Sequence, residues 1–259
     1  MLGLAQYIRM LRSPAVPLPE AIFHADGDAF APTGLARGPW YPDTQHGSPM
    51  LGLLARAVEN LPAERPVQVT RLTVDLLRAA PMSPVPTRTR LVRRGSSVEV
   101  IEAELFAGDE LCARASALRF RINDVAISAA ASGEYDAEPP PLPERAASFG
   151  WSDGGGADPE HALHHALELR PVPGFESPTA WLRMVVPFVA INPDTTLNLH
   201  RMPEGEWLCL DARATYDSHG AGTAFARLLD SRGPVGHSSQ SLLVRGLEAR
   251  PETWRKFAK

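Results

Sequence analysis

Cysteine is almost absent from this sequence. Cys112 and Cys209 are the only two in 259 residues, so a disulfide framework is excluded and a reducing cytoplasm is the expected compartment. Long apolar runs are missing too. No stretch approaches the ~20 residues a membrane-spanning helix needs, so no membrane span is expected. The opening MLGLAQYIRMLRSP is too short and too interrupted to read as a secretory signal. There is no surplus of positive charge: the formal net charge is -4, which gives no general attraction to nucleic acid. No GxGxxG or P-loop motif occurs, so no nucleotide cofactor is implied. His161, His164 and His165 have metal-like spacing, but no cysteine or acidic cluster completes a site, and no metal or other cofactor is expected.

What is present is a globular composition, 44% hydrophobic and 22% charged, with ample length for a core. A proline- and glycine-rich stretch from about Asp124 to Glu160 cannot sustain helix or strand periodicity and reads as a surface connection. It divides the chain into a first module over 1–121, a linker over 122–160 and a second module over 161–259. The first module opens with one short strand over 23–30. A helix follows, with Ser48 as N-cap, Pro49 as first helical residue, and Met50, Leu54, Ala57, Val58 and Leu61 on one face. Strand-like runs cover 67–77, 85–92, 98–106 and 111–120, the last three separated by turn pairs at Arg94-Gly95 and Gly108-Asp109. One helix followed by antiparallel strands means α+β, with the helix against a curved sheet.

The second module repeats the strand pattern. RLTVDLLRAAP and DTTLNLHRMP align on Arg78 and Arg201, so that Thr73 meets Thr196, Asp75 meets Asn198 and Leu76 meets Leu199. Each is followed by three more strand-like runs, over 207–215, 223–229 and 238–244 in the second half. The stretch holding the three histidines reads as that module's first strand. Residues 179–190 and 191–201 read as adjacent strands with no room for a helix between them. Two occurrences of so long a unit mean a duplicated domain rather than a solenoid.

These residues carry a family resemblance. TQHGSPMLGLLARAVE with VTRLTVDLLRAAP resembles the helix and central strand of the hotdog fold. The run from INPDTTLNLHR to SSQSLLVR is similar to the C-terminal half of type II acyl-CoA thioesterases. The resemblance covers about residues 23–121 and 178–246 and implies a double hotdog that hydrolyses fatty acyl-CoA thioesters where two hotdog units meet. A homo-oligomer is an open possibility. At the Ala190–Ile191 junction the family carries roughly thirty further residues, which include a helix and a catalytic carboxylate. A segment missing from the sequence is the expected explanation.

Gln240 shares its strand face with Leu242 and Val244, and a polar side chain on an apolar face needs partners. The resemblance puts it at a glutamine that holds the attacking water; the alternative is a glutamine satisfied by backbone. Asn192 falls where the family has threonine or serine, although Asn192-Pro193-Asp194 is also an ordinary turn. Gln45, His46 and Gly47 precede the helix, where free N–H groups can polarise a thioester carbonyl. His46 is a candidate base or a structural histidine, and Asp75 an acid–base partner or a solvated carboxylate. Arg94, Gly95 and Ser96 look like a turn placed near CoA phosphates, or a charged hairpin turn. The rival reading of the chain is a non-catalytic protein that binds an acyl chain or another protein in the same groove.

Overall fold

The structure is a computed structural model and describes residues 18–38, 43–123, 139–142, 163, 167–172, 179–184, 194–216 and 221–243. The expected single strand over 23–30 is in fact a hairpin. Gly27 takes a φ of 58°, open to glycine without a Cβ clash. It splits the run into β1 (Phe23–Asp26) and β2 (Ala29–Pro32), paired antiparallel. A 3-10 turn at Gly34–Ala36 leads toward α1, Gly47–Asn60. The helix begins before the expected cap. His46 is the N-cap, its Nδ1 accepting from the Ser48 N–H at 3.1 Å. Ser48 and Pro49 are therefore the second and third helical residues. Pro49 is still harmless there, since the first four N–H groups of a helix have no partner inside it.

β3 (Val67–Leu76), β4 (Val85–Arg94), β5 (Val98–Ala107) and β6 (Glu110–Arg121) fall within two residues of the runs read from alternation. Met50, Leu51, Leu53, Leu54 and Val58 of α1 bury against Leu72, Val74, Ile101, Ala103 and Leu105 of the sheet. Ala113, Ala115 and Ala117 of β6 complete that face, and their small side chains admit the helix closely.

The second half contributes β7 (Leu167–Pro171), β8 (Thr179–Met184), β9 (Asp194–Leu199), β10 (Leu208–Tyr216), β11 (Ala221–Asp230) and β12 (Gly233–Leu243). Its first described strand starts at Leu167, and His161, His164 and His165, read as part of that strand, lie outside the described residues. The Ala190–Ile191 junction and Asn192 lie outside the described residues. No described helix is long and apolar enough to cross a membrane.

All twelve described strands form one sheet, in the order β1-β2-β4-β5-β6-β3-β9-β12-β11-β10-β8-β7. Counted outward from the central β3–β9 pair, both halves run in the same order. At that centre Thr73 sits opposite Thr196, with hydroxyl oxygens 3.3 Å apart and 123 positions between them. The offset of 123 carries Ser116 onto Ser239, Glu102 onto Phe225 and Arg90 onto Arg213, each in an equivalent cross-strand pair. An approximate two-fold axis thus passes through the two threonines, as the Arg78–Arg201 alignment requires.

The halves differ in one large respect. Phe30 pairs with Val85, 55 positions later, while the equivalent Leu182 pairs with Leu208 only 26 positions later. The first half spends the additional 29 residues on the 3-10 turn, α1 and their connections. Between β8 and β9 there are nine residues, 185–193, too few for a helix of the 14 residues in α1.

Candidate active site

Two arginines, Arg119 buried and Arg201 half-buried, fix the frame around the seam. Arg119, 1% exposed, donates from Nη1 to the carbonyls of Val58 and Leu61, at 3.1 and 2.6 Å. It thereby caps the C-terminal end of α1. Its Nε and Nη2 bind Glu99 Oε2 at 3.1 and 2.6 Å. In the second half Arg201 holds the fully buried Asp230 through two hydrogen bonds of 2.6 Å each. The Arg201 guanidinium, then the Glu204 and Arg232 N–H groups, keeps the Asp230 carboxyl far below the usual range. The HR pair read as part of a family motif therefore serves architecture through Arg201.

These contacts orient α1. Its C-terminal end lies at Arg119, beside the start of β3, since Arg119 pairs with Val69. The N-terminal end lies by the β3–β4 connection, where the Gln45 N–H donates to the Ala80 carbonyl at 2.8 Å. Across the seam, Val74 near the end of β3 faces Thr195, and Asp75 faces Asp194. Directly opposed residues share a sheet face, so Thr195 stands on the face α1 covers. Gln240 joins it there, its Nε2 donating to Thr195 Oγ1 at 3.1 Å, while that hydroxyl donates to the Asp194 carbonyl at 2.7 Å. Thr195 is 2% exposed, and Gln240 is half-buried. The N-terminus of α1 from one half and the Gln240–Thr195 pair from the other thus lie on the same sheet face, toward the same end of the seam. Thr195 escaped the sequence reading. Its alternation with Leu197 was the available signal.

The other sequence candidates distribute as follows. Gln45 is 4% exposed and braces the entry to α1, its Nε2 donating to the carbonyls of Pro81 and Ser83 at 2.8 and 3.4 Å. Its Oε1 is enclosed with no partner among the described residues, so substrate binding by this side chain is not what the geometry offers. Burial pushes the His46 imidazole down to about 4. With Nδ1 accepting from Ser48, the ring has no free lone pair, which removes its candidacy as a base. Asp75 pairs with Arg114 at 2.9 Å on the opposite, exposed face and is not an acid–base partner of this site. Asp194, on that same face, accepts from the Ser241 N–H at 2.8 Å. Arg94 is neutralised by Glu64 and Glu99 at the far end of α1, about 21 Å along a helix of 14 residues. Gly95 closes the β4–β5 turn with its N–H on the Val98 carbonyl at 2.9 Å, and Ser96 follows it in that turn. Neither cysteine is a nucleophile. Burial pushes the Cys209 thiol up to about 11 and raises that of Cys112.

Residues 36–120 match the family model described as the acyl-CoA thioesterase N-terminal domain, and residues 127–244 match that of the C-terminal domain. The chain belongs to the acyl-CoA thioesterase family. Its fold is the double hotdog, and solved structures agree. A protein of unknown function with a hot dog fold from Alicyclobacillus acidocaldarius is 18% identical with a TM-score of 0.63, covering 88% of this chain and 97% of its own. The TesB protein of Mycobacterium avium subsp. paratuberculosis is 14% identical with a TM-score of 0.59, covering 86% and 96%. Acyl-CoA thioesterase II TesB2 of Mycobacterium marinum is 18% identical with a TM-score of 0.52, covering 76% and 88%. No curated protein matches by sequence. At these identities the structures speak for the fold, while the two domain matches speak for thioester hydrolysis in general.

Proposed function

We propose that this protein hydrolyses fatty acyl-CoA thioesters with a water molecule held where its two halves meet. The observation that carries the reading is the Gln240–Thr195 hydrogen bond on the α1 face, across the seam from the α1 N-terminus. The chain Gln240 Nε2 to Thr195 Oγ1 to Asp194 carbonyl fixes which way the amide points. An amide held this way can orient a water for attack, and Asn192, two residues before β9, is the second group assigned to that water. The water oxygen bonds to the carbonyl carbon and the negative charge develops on the carbonyl oxygen. Collapse breaks the C–S bond, and the proton given up by water ends on the departing thiolate. A thioester is already activated, so orientation and oxyanion binding supply much of the rate.

The test is thiol release from acyl-CoAs of graded chain length, comparing the wild type with Gln240→Ala. A loss of at least about tenfold, or ~1.4 kcal/mol of barrier, with unchanged melting supports the reading. Unchanged turnover in the variant removes Gln240 from the machinery. A second reading, acyl-CoA binding without hydrolysis, draws on the 29-residue shortfall of the second half, the stretch in which the family carries its carboxylate. Calorimetric binding of acyl-CoA with no thiol release at any chain length would select it.

A further inference from the structure

We propose that a cleft between α1, β2 and β4 is a binding site for a short straight-chain fatty carboxylate. It flanks the C-terminal half of α1, and Arg56 in its wall lies about 14 Å along the helix from Gly47. The site stands on its own geometry. Only the identity of that carboxylate as a product of this protein rests on the hydrolytic reading.

The cleft exists because the β1–β2 hairpin is short. β2 pairs with β4 at two positions, Ala29 with Pro86 and Phe30 with Val85. From Thr87 onward no described strand pairs with β4 on that side. Thr87 stands opposite Leu105 and Thr89 opposite Ala103, both fully buried in the core beneath α1. The two threonines therefore share the face that α1 covers. The space left there is about 260 Å³, and its walls include Phe30, Arg56, Leu61, Thr87 and Thr89.

Those walls are of two kinds. Phe30 and Leu61 are apolar. The side chains of Arg56, Thr87 and Thr89 make no hydrogen bond or ion pair among the described residues. The Arg56 guanidinium carbon lies 5.9 Å over the Phe30 ring, which keeps the cation beside the apolar wall. The hydroxyls are a departure from the repeat. The 123-residue offset carries Thr87 onto Leu210 and Thr89 onto Ala212, so the second half uses apolar residues at these positions. A cation without a counter-charge, two hydroxyl donors and an apolar wall fit a carboxylate that carries a hydrocarbon tail. The carbonyl end of a helix repels an anion, but Arg119 already occupies the Val58 and Leu61 carbonyls. Volume sets the tail. At roughly 30 Å³ per non-hydrogen atom, the share of a water molecule in the liquid, the cleft holds about nine such atoms. Heptanoate has that size.

Methyl NMR of the full chain tests the site without any turnover. Heptanoate, titrated to about 10 mM, should shift the Thr87 and Thr89 methyl signals saturably and leave the Thr195 methyl unmoved. 1-Heptanol, the same tail without the charge, should shift neither. Arg56→Met keeps an apolar stem and removes the cation, and it should weaken heptanoate binding by at least about tenfold. Thr89→Val keeps the shape, loses the hydroxyl and should weaken binding roughly threefold. Silent Thr87 and Thr89 methyls, equal binding of 1-heptanol, or undiminished binding in Arg56→Met overturns the site. A response at Thr195 in their place also overturns it, because the carboxylate then sits at the seam. Heptanoate bound as expected, in a protein that releases no thiol from any acyl-CoA, supports the site and overturns the hydrolytic reading alone.

Discussion

Replacing Arg119 by methionine should be among the costlier single changes in the chain. The variant keeps the length and apolar stem of the side chain but removes its four described hydrogen bonds, two to Glu99 and two to the terminal carbonyls of α1. Glu99, 6% exposed, would then keep only Arg94, whose Nε lies 3.1 Å away. Breaking a buried pair by deleting one partner typically costs 3–5 kcal/mol, because the remaining charge stays desolvated. The surviving Arg94 contact places the expectation near the lower limit, at about 3 kcal/mol. For a protein of this size that corresponds to roughly 6–12 °C of melting temperature. Urea titration of the wild type, Arg119→Met, Glu99→Met and the double variant gives the coupling directly. The double variant should recover part of the loss, since no stranded charge remains. A cost below about 1 kcal/mol for Arg119→Met, or a coupling indistinguishable from zero, would refute the reasoning. The α1 end would then be held by packing alone.

Asp230→Asn should also destabilise, by roughly 1.5–3 kcal/mol, since the half-buried Arg201 would lose its charged hydrogen-bond partner. Chemical denaturation measures it. Because the folded carboxyl titrates far below its unfolded value, this pair's contribution should persist as pH falls to about 4 and be lost only in stronger acid. His46 runs the other way in origin but not in sign. Burial lowers its folded pKa to about 4, below the ordinary 6.5 of an imidazole, so the unfolded chain takes up a proton first. Stability should be complete above about pH 6.5 and decline toward pH 4; His46→Asn should flatten that slope in pH-dependent melting. Gly236→Ala should break the β9–β12 pairing, because a Cβ there would collide with the backbone carbonyl of Asn198. Faster amide exchange in β9 with little change in β5 is the expected result.

Much of the architecture was legible because β-strands announce themselves by alternation, and because the repeat around Arg78 and Arg201 has its own register. The same 123-residue offset that aligned Thr73 with Thr196 in the sequence places them opposite one another at the seam. The hairpin at β1–β2 was hidden by its brevity: four residues on each side of Gly27-Asp28 look like one continuous strand. The cap was misassigned because serine is a habitual N-cap and histidine is not, and only the ring contact to Ser48 reveals the difference. Asp75 and Arg94 carry the right chemistry for an active site, but a sequence does not show that Arg114, Glu64 and Glu99 neutralise them. Gln240 was found because an amide on an apolar strand face is conspicuous. Thr195 was passed over because threonine is at home in any strand.

The axis through Thr73 and Thr196 has a consequence for what either half can do alone. Pairing the first half with a copy of itself would supply two helix N-termini, each facing Leu72 and Ala117, the counterparts of Thr195 and Gln240 under the 123-residue offset. Doubling the second half would supply two Gln240–Thr195 pairs and, among the described residues, no α-helix. Among the described residues, neither self-association puts a helix terminus and that glutamine at the same end of one seam. Only the unlike pairing does, and a single covalent chain guarantees that pairing at every concentration. The two halves have become complementary rather than redundant, so one cannot stand in for the other.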